Sequence, residues 1–114
     1  MTTLPDFWSI DFLRSHIART MDFYHPHCID PSGGFFHYFM DDGSVYDHSS
    51  RHLVSSTRFV FNYAMAAREF DRSDYLEAAR HGLAYLREVH PDPRSGAYAW
   101  TIRDGVPDDR TNHC

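Results

Sequence analysis

Apolar residues recur at helical spacing in three stretches of this chain and gather into strand-like runs in two others. In the first stretch Ile10, Leu13, Ile17, Met21 and Tyr24 share one face of a helix expected from about Pro5 to Tyr24. Thr3-Leu4-Pro5-Asp6 supplies its start, with a capping Thr, an early Pro and an acid three residues after the cap. His25-Pro26 ends it, because a residue that precedes proline is pushed out of the helical region.

The central stretch, Arg51 to Met65, is different. Leu53, Val54, Val60, Phe61, Ala64 and Met65 occupy helical positions, while Phe59 and Tyr63 fill much of the opposite face. A helix apolar nearly all round is expected to be an inner helix with protein on every side. It ends near Phe70, and Asp47, Ser49 or Ser50 are its candidate caps. Arg58 interrupts the apolar surface, with Ser55 three residues before it and Asn62 four after. Burying a guanidinium costs several kcal/mol unless carboxylates, carbonyls or a wet cavity compensate it. The stripe therefore predicts either a structural Arg that bridges helix ends or a polar cavity where a ligand's oxygens meet Arg58.

The third stretch, Tyr75 to His90, is an ordinary amphipathic helix. Leu76, Ala79, Leu83 and Leu86 form its apolar stripe, Glu77, Arg80, Arg87 and Glu88 face out, and Pro91 stops it. It belongs on an outer layer.

Between the first two helices, Asp30-Pro31-Ser32-Gly33-Gly34 is a turn cluster that leads into the β-type run Phe35 to Phe39. Asp41-Asp42-Gly43-Ser44 turns the chain and Val45-Tyr46 returns it as a hairpin. The pattern then repeats. From Gly34 the chain reads GFFHYFMDDGSVYD, and from Gly96 it reads GAYAWTIRDGVPDD, an offset of 62 that matches Gly34 to Gly96, Gly43 to Gly105 and Asp47 to Asp109. The unit is a helix pair plus a short hairpin. At the same offset Arg110 to Cys114 begins a second inner helix. Repeated helix pairs need several units to cover their inner faces, so these residues are expected to be the N-terminal part of a longer domain.

Composition narrows the function classes. The net charge is -5, there is no lysine, and the eleven basic residues form no stripe, so no nucleic-acid partner is expected. No apolar run reaches membrane-spanning length and no signal-peptide pattern opens the chain; a cytoplasmic protein without a membrane partner is expected. Cys28 and Cys114 are too few for a disulfide framework.

Gly33-Gly34-Phe35, Asp42-Gly43-Ser44, the helix Arg51 to Met65 with Ser56-Thr57-Arg58-Phe59 at its core, the segment Tyr75 to Leu86, and Gly96 to Asp104 together resemble the N-acylglucosamine 2-epimerase superfamily, most closely its mannose isomerase branch. The resemblance covers nearly all of the chain and roughly the first third of a family chain, judged by the number of repeats. It implies an all-α fold, the N-terminal part of an (α/α)6 barrel of helix pairs joined by short hairpins, with a sugar bound at the hairpin end. It also implies chemistry at C1 and C2 of an opened sugar through an enediolate, without metal or redox cofactor. An aldose–ketose isomerase of the mannose/fructose or lyxose/xylulose type is the leading expectation. A 2-epimerase, or a non-catalytic helical sugar-binding scaffold, is the alternative.

By the same resemblance Arg58 is the active-site arginine, Tyr98 in Gly96-Ala97-Tyr98-Ala99-Trp100 is the hairpin tyrosine that contacts the sugar, and Asn62 and Trp100 line the pocket. Arg suits a developing oxyanion because it stays protonated and forks onto two oxygens. The proton-transferring histidines of the family lie beyond Cys114, so these 114 residues alone should lack catalysis. The implied partner is a small-molecule sugar, and assembly into a homo-oligomer is left open.

Nine histidines raise a metal reading that the spacings do not support. His25-Pro26-His27-Cys28 has no second ligand pair at a suitable distance, and His48 and His52 lack the Glu of a hydrolytic zinc helix. Asp41-Asp42-Gly43 lacks the later ligands of a calcium loop. Ser55 and Ser56 near His52 have no nucleophile elbow or orienting third group. His81 and His90, on the outer helix, are expected to be solvated.

Overall fold

The computed structural model describes residues 6–108. Three helices carry the architecture: α1 (Ile10–Tyr24), α2 (Leu53–Phe70) and α3 (Ser73–Glu88). Five short strands accompany them: β1 (Tyr38–Phe39), β2 (Val45–Asp47), β3 (Ser50–His52), β4 (Thr101–Arg103) and β5 (Val106–Pro107). β1 and β2 form one antiparallel ribbon, and β3, β4 and β5 form a three-stranded antiparallel sheet in that order.

α1 begins later than its apolar stripe suggests. Ser9 is its cap, accepting a hydrogen bond from the Phe12 amide at 3.1 Å. The expected cap at Thr3 lies outside the described residues. Of the stripe only Met21 is buried, while Ile10 is 75% exposed. The N-terminal half of α1 stands clear of α2, and an apolar groove of about 700 Å³ opens between them.

α2 also starts later than expected. Residues 50–52 are taken by β3, which pairs Arg51 with Ile102 and His52 with Thr101. This pairing joins segments fifty residues apart, so no local pattern announces it. The helix begins where the strand ends, and His52 caps it, its Nδ1 accepting from the Val54 amide at 3.2 Å. Asp47, expected as a cap, instead closes the preceding turn by accepting from the Ser49 and Ser50 amides at 2.9 and 3.0 Å. Those two bonds stabilise its charged form and hold its carboxyl down at about 2.

The run Phe35 to Phe39 is a strand only at its end. Phe35 forms an isolated bridge with Ile29 and buries its ring in the core, stacked on Phe59 at 5.0 Å and on Tyr63 at 5.5 Å between centroids. Close packing of α3 on α2 depends on this ring. A Cβ at Gly82 would stand 2.2 Å from Cε2 of Phe35 and 2.8 Å from Cγ2 of Val60, so only glycine fits there.

The buried face of α3 consists of Tyr75, Ala78, Ala79, Gly82, Tyr85 and Leu86, whereas Leu76 and Leu83 of the expected stripe are 41% and 44% exposed. Small residues decide the rotation. Ala78, Ala79 and Gly82 let the two helix axes approach closely, and the leucines are left facing outward.

The repeat is real in three dimensions and longer than its sequence match. Gly34 and Gly96 both adopt positive φ, at 70° and 74°. Upstream of them Cys28 and His90, also 62 apart, accept equivalent backbone hydrogen bonds, from Phe36 at 2.7 Å and from Ala99 at 2.8 Å. The second turn is one residue longer: Asp30 N–H reaches Gly34, while Asp92 N–H reaches Ala97. The segment Arg110 to Cys114 lies outside the described residues.

Candidate functional site

Three residues of α2, Ser55, Arg58 and Asn62, share one helix face because they are three and four apart. Across from them α1 presents Thr20, Met21 and Tyr24. Together with Phe59 and Tyr63 they line a cavity of about 200 Å³. Tyr24 is held edge-on against Phe59 at 5.7 Å and against Phe39 at 5.2 Å, which fixes one wall.

Arg58 is exposed, not buried, and has no carboxylate partner among the described residues. Within the described residues nothing supplies the partner that a structural bridge by this arginine requires. Arg58 lines the cavity with the polar residues Ser55, Thr20 and Asn62 and with Met21, Tyr24, Phe59 and Tyr63. Such a lining can bind a neutral polyol and steady a developing oxyanion. Among the described residues no histidine or carboxylate lines it.

The arginine that is buried is Arg51, 4% exposed. It pairs with Asp30, donates to His48 O at 3.2 Å and lies over the Phe36 ring at 4.9 Å. Its Nε has no hydrogen-bond partner among the described residues.

Tyr98 and Trp100 do not line the Arg58 cavity. Both sit on the second hairpin, 43% and 38% exposed, on either side of the fully buried Ala99. Trp100 O accepts from the Leu53 amide at 2.7 Å, which ties this hairpin to the first turn of α2. Arg58 is five residues further along that helix, about 7.5 Å down its axis. The structure thus places all four sequence-identified residues on α2 and on the hairpin attached to its N-terminal end. It brings Arg58 and Asn62 into one cavity and leaves Tyr98 and Trp100 outside its lining.

A buried polar cluster that sequence reasoning missed joins the same elements. His90 is fully buried and not solvated as its helical spacing suggests, because α3 ends at Glu88 and the chain turns inward. His81 is likewise engaged, its Nε2 at 2.9 Å from Gly34 O. His90 Nδ1 lies 2.9 Å from Ala99 O and its Nε2 3.4 Å from Ser56 Oγ. His37 Nε2 is 3.4 Å from the same Oγ, and its Nδ1 accepts from the His52 amide at 3.0 Å. Burial, the Arg51 charge and the neighbouring histidines push His37 down to about 4, and burial pushes His90 down as well. Ser56 is 3% exposed, which closes the nucleophile reading. The one sequence signal was His37 inside an aromatic run, a place where a polar ring needs a partner.

The other histidine-rich segment is also structural. His25 Nδ1 lies 2.9 Å from Tyr63 OH and its Nε2 3.1 Å from Asp74, while Cys28 Sγ lies 3.0 Å from the same Tyr63 hydroxyl. Burial pushes the Cys28 thiol up to about 11. Among the described residues no three His, Cys, Asp or Glu side chains converge on a metal-sized site. No helix among them is long and apolar enough to cross a membrane.

Comparison with known proteins places this geometry. The chain is 54% identical over 110 residues to a D-mannose isomerase from Marinomonas mediterranea, and 29% identical over 85 residues to a cellobiose 2-epimerase from Eubacterium cellulosolvens. These matches cover 96% and 74% of this chain but only 28% and 21% of the relatives. Among solved structures, a D-mannose isomerase crystal structure superposes with a TM-score of 0.90 over 98% of this chain and 28% of its own. A cellobiose 2-epimerase from Spirochaeta thermophila shares the fold, with a TM-score of 0.68 at 24% identity, over 86% of this chain and 26% of its own. The family model for N-acylglucosamine 2-epimerase matches residues 34–114, and the chain belongs to that family.

Proposed function

We propose that this chain is the N-terminal portion of a single (α/α)6 barrel domain in a sugar isomerase that interconverts an aldose and a ketose of the mannose/fructose or lyxose/xylulose type. The observation that carries the reading is the exposed guanidinium of Arg58, without an ion-pair partner among the described residues, beside a cavity lined by Thr20, Ser55 and Asn62 and by the aromatic rings of Tyr24, Phe59 and Tyr63. A 54% identity to a D-mannose isomerase supports it. In this mechanism the sugar ring opens and a histidine from the remainder of the barrel removes the C2 proton. Arg58 stabilises the resulting enediolate oxygen, and reprotonation at C1 yields the ketose. Asn62, Tyr98 and Trp100 contact the substrate. The mechanism asks for no metal or redox cofactor.

The second reading is a 2-epimerase, in which the enediolate is reprotonated at C2 from the opposite face. The 29% identity to a cellobiose 2-epimerase favours keeping it in view. Incubating the full-length enzyme with mannose in D₂O and following the products by NMR separates the two. The isomerase gives fructose first, with deuterium at C1, and is unaffected by chelator. Glucose that appears with no ketose overturns the leading reading, and no turnover of any aldose favours a sugar-binding scaffold.

A further inference from the structure

The hydrogen bonds around Ser56 leave little freedom about where the protons sit. His37 Nδ1 accepts from the His52 amide, so a neutral His37 carries its proton on Nε2, facing Ser56 Oγ. Ala99 O can only accept, so His90 carries its proton on Nδ1 and its Nε2 accepts. One consistent chain results. His37 Nε2–H donates to Ser56 Oγ, the Ser56 hydroxyl donates to His90 Nε2, and His90 Nδ1–H donates to Ala99 O.

The far end of this chain is a clamp. Ala99 N–H donates to His90 O at 2.8 Å while Ala99 O accepts from the His90 ring at 2.9 Å, so both backbone groups of one residue are held by one histidine. Ala99 is the residue between Tyr98 and Trp100. The middle of the chain, Ser56, is on the helix that carries Arg58 two residues further on, and the near end, His37, accepts from the amide of His52, which caps that helix.

We propose that His37, Ser56 and His90 form a positioning relay that sets the sugar-facing side of the second hairpin against α2, and so fixes Tyr98 and Trp100 relative to Arg58. The three residues touch no substrate; Ser56 and His90 are buried and act through Ala99. The role rests on the sugar-isomerase reading above, but the relay itself is open to a test that needs no activity.

Histidine ¹⁵N shifts of the full-length wild-type protein at neutral pH report the tautomers directly. The Nδ1–H form at His90 and the Nε2–H form at His37 are expected; the reverse at either ring overturns the relay. In kinetics, His90→Asn keeps a donor near the Nδ1 position, whereas His90→Gln moves it to the Nε2 position. His90→Asn is expected to hold KM within about twofold of wild type, and His90→Gln to raise KM about tenfold, the effect of one lost hydrogen bond. Ser56→Ala, which breaks the chain in its middle, is expected to raise KM by several-fold with kcat less affected. Equal kinetics for His90→Asn and His90→Gln overturn the positioning role, as does loss of kcat alone. If the wild-type enzyme turns over no sugar, the isomerase reading fails, and the tautomers alone then decide the relay.

Discussion

Arg51 on β3 is paired with Asp30, twenty-one residues earlier in the turn that opens the first hairpin, and the pair bolts that turn to the base of α2. The two partners are not equally dependent on it. Arg51 is almost fully buried, whereas the Asp30 side chain is 15% exposed and its other oxygen also holds Ser32.

Removing the carboxylate should therefore cost more than removing the cation. In the full-length protein Asp30→Ala strands a buried guanidinium and is expected to lower stability by about 3–5 kcal/mol. Arg51→Met keeps the packing on Phe36 and should cost clearly less. Denaturant melts of the two variants check the ranking, and a larger loss for Arg51→Met would contradict it.

Arg58 predicts the opposite balance between activity and stability. It has no ion-pair partner among the described residues, so Arg58→Ala and Arg58→Lys should leave the melting temperature nearly unchanged. Turnover should fall by about 10²–10³, the usual effect of losing one oxyanion donor. Full activity in Arg58→Lys, or a fall in stability as the main effect, would show that the arginine is structural.

His37 sets a pH dependence whose sign follows from its depressed value. The folded state holds it near 4 because burial and the Arg51 charge disfavour the imidazolium, while the unfolded chain titrates near 6.5. The unfolded state therefore binds more protons between those values. The contribution is complete above about pH 6.5 and is lost as pH falls toward 4, amounting to on the order of 3 kcal/mol. His90, also depressed, acts in the same direction. Stability curves for wild type and His37→Gln should converge on acidification through this window; a constant difference from pH 7 to pH 4 would refute the assignment.

The 114 residues expressed alone give a fourth expectation. Phe61 and Met65 on α2 are 63% and 49% exposed, and Ile10, Leu13 and Ile17 on α1 are exposed along the groove that Met65 also lines. Tyr63 is buried and Phe59 half-buried, so the uncovered surface is confined to one side. Contiguous apolar surface of this kind is unusual on a soluble monomer. Helical far-UV CD with ANS binding, self-association and no sharp melt is expected, together with no isomerase activity. A monodisperse, cooperatively melting monomer by sedimentation would contradict it.

Local patterning was sufficient for much of this. Period and breakers located all three helices, since apolar spacing and proline act within a few residues. The 62-residue repeat predicted a second hairpin, and Gly96, Asp104 and Gly105 sit at its turns in the left-handed region. The polar stripe on α2 pointed to Arg58 and Asn62, which do share a cavity.

Contacts distant in sequence decided the rest. β3 exists because Arg51 finds Ile102, and no neighbour of Arg51 in the chain could signal that. α3 turns Ala78 and Gly82 inward because the Phe35 ring from a distant loop occupies the space beside them, and the leucines lose. Arg58 proved exposed and Arg51 buried because burial depends on which elements pack above a residue, not on the polarity of its own helix. His37, Ser56 and His90 come from three separate segments, each unremarkable alone. Only folding puts two imidazoles around one buried hydroxyl, and low dielectric then makes their mutual satisfaction obligatory.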